Sequence, residues 1–272
     1  MNPVRVGAVG YLNAKPLVFR LEERRGFTVR HDVPSRCATL LHGGEVDIGL
    51  IPSIEYLRGR SYTIAPGISI ASRGPVASVA LYSRVPLDRV RRVALDTSSR
   101  TSAALLRVLC AERFGIAPDF TPAPPQLDRM LDGHDAALLI GDPALFTDHE
   151  QLGLLKTDLG EAWTEHTGLP FVWAFWAGDA RALAENVCQA LADVRDGGVN
   201  ALDRIAREHG GDDPMLTARI AGYLHRNIHW TLTDSHETAL HRFYASAARL
   251  GLASWNGEVR FAGRAASGVV SS

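Results

Sequence analysis

The segment LLHGGEVDIGLIPSIEYL, residues 40–57, contains a short apolar run that ends in a proline and a serine. A run of this kind, with glycines before it and a proline near the start of the next helix, predicts a buried strand followed by a short helix. The segment MLDGHDAALLIGDPALF, residues 130–146, repeats the order of helix end, glycine turn, aspartate, apolar run and proline-containing loop. The repetition predicts two similar α/β lobes, although this order also arises by chance in α/β proteins.

Ligands of open α/β sheets bind outside the carboxyl ends of the strands, so two facing lobes would enclose a ligand cleft. Strands and helices alternate up to about residue 178, and the later chain has only helical patterns. The tail at 263–272 has too little patterned apolar surface to pack, which predicts disorder. The helices expected after the last strand are at about 179–195, 199–209, 214–227 and 234–250.

The composition is that of an ordinary globular protein, with 272 residues, 46% hydrophobic residues and a formal net charge of −1. This charge provides no broad basic field for nucleic acid or an anionic membrane, so neither is expected as a partner. No run reaches the roughly 18 apolar residues that a membrane span needs. A strand-like run begins at Val4 with no signal-peptide pattern before it, which predicts a cytoplasmic protein.

Five hydroxyl residues lie in the stretch DTSSRTS, residues 96–102, just before an apolar helical run. A helix start needs one serine or threonine as its N-cap, and the free N–H groups of the first turn attract anions. The surplus hydroxyls therefore predict a seat for a carboxylate. Arg100 lies where the helix dipole disfavours a cation, which predicts that it pairs with an anion or with an acid such as Asp96.

Four other loops at strand ends are rich in neutral hydrogen-bonding residues, which suit small organic acids. Each candidate in them also has an ordinary structural interpretation. Asn13 could form a turn, Ser53 could cap its helix, and Asp142 could be an N-cap followed by Pro143. The loops are GYLNAKP (10–16), IPSIEY (51–56), SIASRGPV (69–76) and IGDPAL (140–145).

Several other chemistries lack their sequence signals. The chain has no GxGxxG or GxxxxGK[ST] phosphate loop, no HExxH motif and no GxSxG nucleophile elbow. Its three cysteines are far apart and odd in number, which argues against a disulfide framework or a paired-cysteine metal site. None of the ten histidines lies in the strand-end loops, which disfavours a serine hydrolase. No metal site and no cofactor are predicted.

Six blocks of the sequence, in colinear order over residues 4 to about 178, closely resemble the chorismate dehydratase family of menaquinone biosynthesis. One departure is Gly10, where the family usually has a serine before Tyr-Leu-Asn; this puts one hydroxyl contact in doubt without affecting Asn13. The blocks are GYLNAKPL, GEVDIGLIPSIEY, GISIASRGPVASV, ALDTSSRTSAALL, DAALLIGDPAL and TGLPFVWAFWAG.

The resemblance implies a two-lobed α/β fold like that of type II periplasmic binding proteins, with a ligand cleft between the lobes. It places residues 1–90, completed by 176–262, in one lobe and residues 91–175 in the other. The strands at 76–83 and 170–178 are the expected hinge strands. It also implies elimination of water from chorismate to give 3-[(1-carboxyvinyl)oxy]benzoate in the futalosine pathway. It makes no prediction about oligomeric state.

Chorismate carries two carboxylates, and the resemblance assigns site residues to them and to the reaction. Asn13 is expected to hold a carboxylate or the departing hydroxyl. The base is either Asp142 or the substrate's own enolpyruvyl carboxylate, which we favour because the loops are poor in bases. Glu55 is expected to turn into its helix. The expected substrate-binding residues are Ser53, Ser72, Gly74, Thr97, Ser98, Ser99, Thr101, Ser102 and Gly141, with Ser98, Ser99 and Thr101 as the principal anion contacts.

Two rival functions share the expected fold. A 1,4-dihydroxy-6-naphthoate synthase would rely on a pocket histidine, which the loop GDPAL lacks. A non-catalytic carboxylate-binding protein for transport would need a signal peptide or a lipid-anchor cysteine. Both are therefore less favoured than the dehydratase.

Overall fold

The computed structural model describes residues 3–59 and 61–264, and within them the chain forms two mixed β-sheets. One sheet has six strands and the other has five. The six-stranded sheet, called the first sheet, contains β1 (Val4–Val9), β2 (Phe27–Asp32), β3 (Ile48–Pro52), β4 (Thr63–Ile64), β5 (Ile70–Ser72) and β11 (Phe171–Gly178). The second sheet contains β6 (Val79–Ser83), β7 (Arg92–Asp96), β8 (Asp119–Ala123), β9 (Ala136–Ile140) and β10 (Leu155–Asp158).

Strand order places the apolar runs of the sequence at the centre of each sheet. The first sheet has the order β2-β1-β3-β11-β4, with β5 paired to β11, and the second has the order β10-β6-β9-β7-β8. β1 is parallel to β2 and β3, and β7 is parallel to β8 and β9. The carboxyl ends of β1 and β3 therefore lie together in one lobe, and those of β7 and β9 in the other.

Helices cover the sheets and account for most of the chain after β11. Short 3₁₀ segments span Leu12–Val18, Leu21–Glu23, Ser53–Arg58 and Leu87–Arg89, and a π-helical turn spans Cys110–Phe114. The α-helices are α1 (Pro34–His42), α2 (Arg100–Leu109), α3 (Leu127–Leu131), α4 (Gly141–Phe146), α5 (Leu159–Thr167), α6 (Glu185–Val199), α7 (Leu202–Gly210), α8 (Pro214–Asn227) and α9 (Asp234–Arg249).

The sheet membership of two strands differs from the expected lobe boundaries. β6 pairs with β9 and β10 in the second sheet, so residues 79–83 do not belong to the first lobe. β11 pairs with β3, β4 and β5, so residues 171–175 belong to the first sheet. The chain crosses between the sheets just before each of these strands. Their apolar sequences fit either sheet, and only the pairing decides between them.

Asp158 ties together the two crossovers between the sheets. Its carboxylate accepts the N–H groups of Val76 and Ala77, at 3.0 and 2.7 Å, from the first crossover. It also accepts the N–H groups of Gly160 and Glu161, at 2.9 and 3.1 Å, and so caps α5 in the second crossover. One carboxylate thus satisfies four N–H groups and keeps the crossovers side by side.

The aromatic strand β11 forms the centre of the core. All eight of its residues are buried, and the Phe171 ring packs edge-on against α5 and α9. Phe171 lies 4.5 Å from Trp173, 5.3 Å from Trp163 of α5 and 4.9 Å from Phe243 of α9, measured between ring centroids. Such edge-to-face pairs add stability to the buried area. They join α9 to the second crossover.

The helices expected at 214–227 and 234–250 are confirmed closely by α8 and α9. The expected helix at 179–195 begins later, at Glu185. Within residues 3–59 and 61–264, no helix is long and apolar enough to cross a membrane. Most of the tail expected to be disordered, residues 265–272, lies outside the described residues.

Candidate active site

A narrow cleft lies between the carboxyl ends of the strands of the two lobes. The first lobe contributes residues that follow β1 and end β3, together with β11 side chains, and the second contributes the start of α2 and the end of β9. The strands of the two repeated segments therefore end at the same cavity. The lining residues are Val9, Tyr11, Asn13, Pro34, Pro52, Ile70, Val79, Ser99, Thr101, Ser102, Ile140, Gly141, Trp173 and Ala174.

The start of α2 presents hydroxyl groups to this cleft. Ser99 is the N-cap, and its Oγ accepts the N–H of Ser102 at 3.2 Å. Thr101 Oγ1 accepts the N–H of Ile54 at 3.1 Å and lies 3.4 Å from Ser53 Oγ, whose own proton goes to the Val172 carbonyl. The first turn of a helix also carries the positive end of its dipole. Of the residues expected to form a carboxylate seat, Ser99, Thr101 and Ser102 thus line the cleft.

The Ser98 hydroxyl donates to Asp96 and accepts the hydroxyl of the cleft residue Tyr11, at 3.4 Å. Both the N–H and the hydroxyl of Ser98 donate to Asp96 Oδ1, at 2.8 and 2.5 Å, and Asp96 Oδ2 accepts the N–H of Ile140 at 3.2 Å. Burial raises the pKa of Asp96, and the hydrogen bonds from Ser98 and Ile140 oppose the rise. Asp96 therefore fixes the loop to the end of β9, and Ser98 does not line the cleft. The Asp-Thr-Ser spacing is that of an Asx-turn, a signal in the sequence that would have indicated this bond.

Four other expected binding residues also lie away from the lining. Thr97 is exposed, and its N–H donates to the carbonyl of Ala123. Ser53 donates its hydroxyl to the carbonyl of Val172 at 2.8 Å. Ser72 Oγ accepts Trp173 Nε1 of β11 at 3.0 Å, and the Gly74 N–H donates to Thr164 Oγ1 of α5 at 2.9 Å.

Gly141 and Asp142, adjacent in the chain, have different roles at the end of β9. Gly141 lines the cleft with φ of 66°, and a Cβ there would lie 2.8 Å from the Tyr11 ring, so only glycine fits. Asp142 is not the N-cap of α4; its Oδ1 accepts the N–H of Leu12 from the opposite lobe at 3.0 Å. Burial raises the pKa of Asp142, and the bond from Leu12 opposes the rise.

Asn13 lines the cleft and is held by two aromatic residues from the C-terminal helical region. Trp230 Nε1 donates to the Asn13 carbonyl at 2.8 Å. The Tyr223 hydroxyl, on α8, donates to Ser78 Oγ at 2.8 Å. Burial raises the pKa of Tyr223, and hydrogen bonding with Ser78 and Asn13 opposes the rise. The helices after β11 thus position a cleft residue as well as completing the first lobe.

Arg100 points away from the cleft to the buried Glu55. Arg100 Nη1 lies 2.7 Å from Glu55 Oε2, and Arg58 and His42 contact the same carboxylate at 2.6 and 3.0 Å. Burial would raise the pKa of Glu55, but the hydrogen bonds from His42 and Arg100 and the charge of Arg58 hold it below the ordinary value. The expectation that Arg100 pairs with an acid is confirmed, and that acid is Glu55 instead of Asp96.

The lining combines neutral donors with apolar walls. Among the described lining residues there is no aspartate, glutamate, histidine, lysine, arginine or cysteine. Tyr11 and Trp173 are lining residues that the sequence analysis did not single out, although both lie in its motif blocks. Within the described residues no cluster of three or more His, Cys, Asp or Glu could hold a metal ion. The cleft suits a flat organic acid that is oriented by neutral hydrogen bonds.

The fold is similar to that of several solved structures. A protein from Archaeoglobus fulgidus matches with a TM-score of 0.70 at 18% identity, over 92% of this chain and 98% of its own. The alkanesulfonate-binding protein of Xanthomonas axonopodis pv. citri matches with a TM-score of 0.69 at 16% identity, over 94% and 96%. A Candida albicans protein described as having the generic periplasmic binding protein fold matches with a TM-score of 0.66 at 11% identity over both whole chains. The expected fold class is confirmed.

Sequence relatives give the family. A chorismate dehydratase of Thermus thermophilus is 36% identical over 238 residues, which are 79% of this chain and 86% of the relative. A chorismate dehydratase of Campylobacter jejuni is 25% identical over 91% of this chain and 99% of its own length. The model of a family described as menaquinone biosynthesis matches residues 4–249. The chain therefore belongs to the menaquinone biosynthesis family.

Proposed function

We propose that this protein is a chorismate dehydratase acting in the futalosine route to menaquinone, in the cytoplasm. The observation that carries the proposal is the cleft itself, in which a helix start rich in hydroxyls faces apolar and aromatic walls. Two relatives with this activity support it. The described lining has no histidine, which disfavours the naphthoate synthase alternative.

The reaction is an elimination that makes the ring aromatic. The C3–H bond of chorismate breaks and its electrons form a ring double bond, the C4–O bond breaks, and the hydroxyl leaves with a proton as water. The product is 3-[(1-carboxyvinyl)oxy]benzoate. Aromatisation provides the driving force, so the protein needs to orient the substrate and assist the leaving hydroxyl.

The first carboxylate of the substrate is proposed to bind at the start of α2. The Ser99, Thr101 and Ser102 hydroxyls and the first-turn N–H groups are fixed before the substrate arrives, and preorganised donors stabilise negative charge more strongly than mobile water does. The ring then lies against Trp173 and the apolar wall. Asn13, on the opposite lobe, is within the same cleft and can hold the second carboxylate or donate to the leaving hydroxyl.

The proton acceptor is proposed to be the substrate's enolpyruvyl carboxylate, tethered near C3. A tethered group acts at a high effective concentration, which compensates for its low basicity. Asp142 is the alternative, and its raised pKa would make it a better base than an ordinary aspartate. However, it does not line the cleft, and its Oδ1 is engaged by the Leu12 N–H. These two facts favour the substrate carboxylate.

The direct test is to incubate the purified protein with chorismate and follow the products by mass spectrometry and ultraviolet absorbance. We expect loss of one water from the substrate and the appearance of a benzoate spectrum. Boiled protein is the control for spontaneous decay of chorismate. An unchanged chorismate mass with folded protein would refute the proposed function.

The base is tested with Asp142→Asn, which keeps an oxygen to accept the Leu12 N–H. We expect substantial turnover to remain, because the proton goes to the substrate. A loss of about 10³-fold or more in kcat with unchanged product affinity would identify Asp142 as the base. Asn13→Ala should lower kcat strongly, whereas Asn200→Ala, at the end of α6, serves as the matched control and should leave it unchanged.

A further inference from the structure

Arg100 lies between two cleft residues but faces the other way. Ser99 and Thr101, its neighbours in the chain, line the cleft, whereas the Arg100 guanidinium contacts the first lobe. Its Nη1 donates to Glu55 Oε2 at 2.7 Å and its Nη2 donates to Thr39 Oγ1 at 3.1 Å. A cation in the first turn of a helix is disfavoured by the dipole, so this position requires a compensating partner.

Glu55 is that partner, and it is fully buried. Its side chain is 1% exposed, and Arg58, Arg100 and the His42 ring contact its carboxylate. His42 and Arg58 come from the same lobe as Glu55, whereas Arg100 follows β7 of the second sheet. The ion pair with Arg100 therefore crosses from one lobe to the other. A carboxylate buried to this degree is stable only while its partners remain in place.

The same two segments make a second set of contacts on the side of the cleft. The Ile54 N–H, next to Glu55, donates to Thr101 Oγ1 at 3.1 Å. Ser53 Oγ lies 3.4 Å from the same Thr101 oxygen. The start of α2 is thus fixed to the 3₁₀ segment Ser53–Arg58 by Arg100 on one side and by Thr101 on the other. Loss of either contact would let the hydroxyls of the carboxylate seat rotate or move.

We propose that Arg100 and Glu55 are positioning residues of the cleft: their ion pair between the lobes holds the start of α2 so that Ser99, Thr101 and Ser102 face the substrate carboxylate. This assignment rests on the proposed function for its kinetic test. Neither residue contacts the substrate. Their effect is exerted through the placement of the three hydroxyls.

The experiment compares Arg100→Met, Arg100→Lys and Glu55→Gln with the control Arg113→Met. Arg113 lies in the π-helical turn that follows α2, at the opposite end of that helix from Ser99. It makes an exposed ion pair with Glu165 of α5. We expect Arg100→Met and Glu55→Gln each to lower kcat/KM for chorismate about tenfold or more, since small misplacements of binding groups cost this much. Arg100→Lys should recover part of the loss, and Arg113→Met should change kcat/KM by less than about twofold.

A double-mutant cycle with Thr101→Val separates positioning from general stability. In the Thr101→Val background, Arg100→Met should cost less than in the wild type, because part of its effect is exerted through the Thr101 hydroxyl. Equal costs in the two backgrounds would overturn the proposal. A normal kcat/KM for Glu55→Gln beside a low one for Arg100→Met would also overturn it, by showing that Arg100 contacts the substrate directly.

A second readout keeps the proposal independent of the dehydratase assay. If the wild type leaves chorismate unchanged, the proposed function fails, and small-angle scattering then decides whether the ion pair holds the lobes. We expect Arg100→Met to increase the radius of gyration relative to the wild type and to Arg113→Met. Equal radii for all three proteins would then refute the role of the ion pair.

Discussion

Glu55 and Asp142 occupy comparable places in the two repeated segments, yet their electrostatic environments are opposite. Each lies in a short helix just after a central strand, and each accepts a hydrogen bond from the opposite lobe. Glu55 is surrounded by Arg100, Arg58 and His42, and its pKa is lowered. The carboxylate of Asp142 accepts the backbone N–H of Leu12, and burial raises the pKa of Asp142.

The difference shows that the same local sequence pattern can place a carboxylate in two different roles. A buried carboxylate with charged partners stays ionised as a structural group, because its partners stabilise the charge. A buried carboxylate with a neutral donor holds its charge less firmly. The first lobe therefore uses Glu55 to fix the start of α2, and the second lobe uses Asp142 to fix the Leu12–Val18 segment that carries Asn13.

The largest effect is expected from removing Glu55. Glu55→Ala leaves Arg58 and Arg100 without their counter-charge and breaks the pair between the lobes, so the free energy of unfolding should fall by about 3 kcal/mol. Asp142→Ala removes one acceptor from a backbone N–H and should cost only about 1–2 kcal/mol. Urea unfolding at neutral pH measures both. A greater loss for Asp142→Ala than for Glu55→Ala would contradict the contrast.

The residues at the carboxyl ends of the two central strands differ in backbone conformation. Pro52 leaves β3 with φ of −55°, whereas Gly141 follows β9 with φ of 66° and touches the Tyr11 ring. Gly141→Ala should cost about 1–2 kcal/mol of stability for its left-handed backbone and should also lower kcat/KM by displacing Tyr11.

Gly133→Ala is the matched control for this change. Gly133 has φ of 76°, and no atom lies within 4 Å of the point that a Cβ would occupy, so alanine there has the backbone strain without the contact. It should lose similar stability but keep its activity. If both variants keep full activity, the contact between Gly141 and Tyr11 does not shape the cleft.

A smaller effect is expected when the charge of Asp142 is removed but its oxygen is kept. Asp142→Asn still accepts the Leu12 N–H, so the free energy of unfolding at neutral pH should change by less than about 1 kcal/mol. Glu55→Gln, which also keeps an oxygen, should cost more, because Arg58 and Arg100 lose their counter-charge. Thermal unfolding of the two variants gives the comparison, and equal shifts in Tm would argue against it.

The smallest effect is a difference in the sign of the pH dependence. The pKa of Glu55 is lowered on folding, so its stabilising contribution is present above the ordinary value of 4.5 and is lost as the pH falls through the lower folded value. The pKa of Asp142 is raised on folding, so its contribution is present below the ordinary value of 3.8 and is lost as the pH rises through the higher folded value.

Unfolding experiments at a series of acidic pH values test these signs. The stability advantage of the wild type over Glu55→Gln should shrink as the pH falls. The difference between the wild type and Asp142→Asn should instead move in favour of the wild type as the pH falls. Changes of the same sign for both pairs would show that the two carboxylates do not differ in this way.

The starts of α8 and α2 could be predicted from the sequence, because a helix start depends on residues that are neighbours in the chain. α8 begins where expected because Asp213 caps it and Pro214 fills its first position, with the Asp213 carboxylate accepting the N–H groups of Met215 and Leu216. The start of α2 was predicted in the same way from its hydroxyl residues, and Ser99, Thr101 and Ser102 do line the cleft. The two helix starts depend on contacts within one turn of helix, whereas the cleft that they face depends on the tertiary structure.

Other features depend on contacts between distant parts of the chain and had no local signal. The partner of Asp142 is 130 residues away in sequence. Trp173 and Ala174, neighbours on β11, both line the cleft, although residues of a regular strand alternate between faces. The register of β11 against β5 shifts between Val172 and Ala174, which explains the exception. Such a shift is set by the partner strand.

The sequence alone determined the α/β class, the family and the hydroxyl-rich start of α2, because apolar periodicity, helix caps and motif order are all written along the chain. Only the tertiary structure decided which sheet β6 and β11 join, where Arg100 points and which hydroxyls reach the cleft. The physical reason is competition for partners. Arg100 and Thr101 are neighbours in the chain, and the positions of Glu55 and Ile54 in the opposite lobe decide which partner each side chain finds.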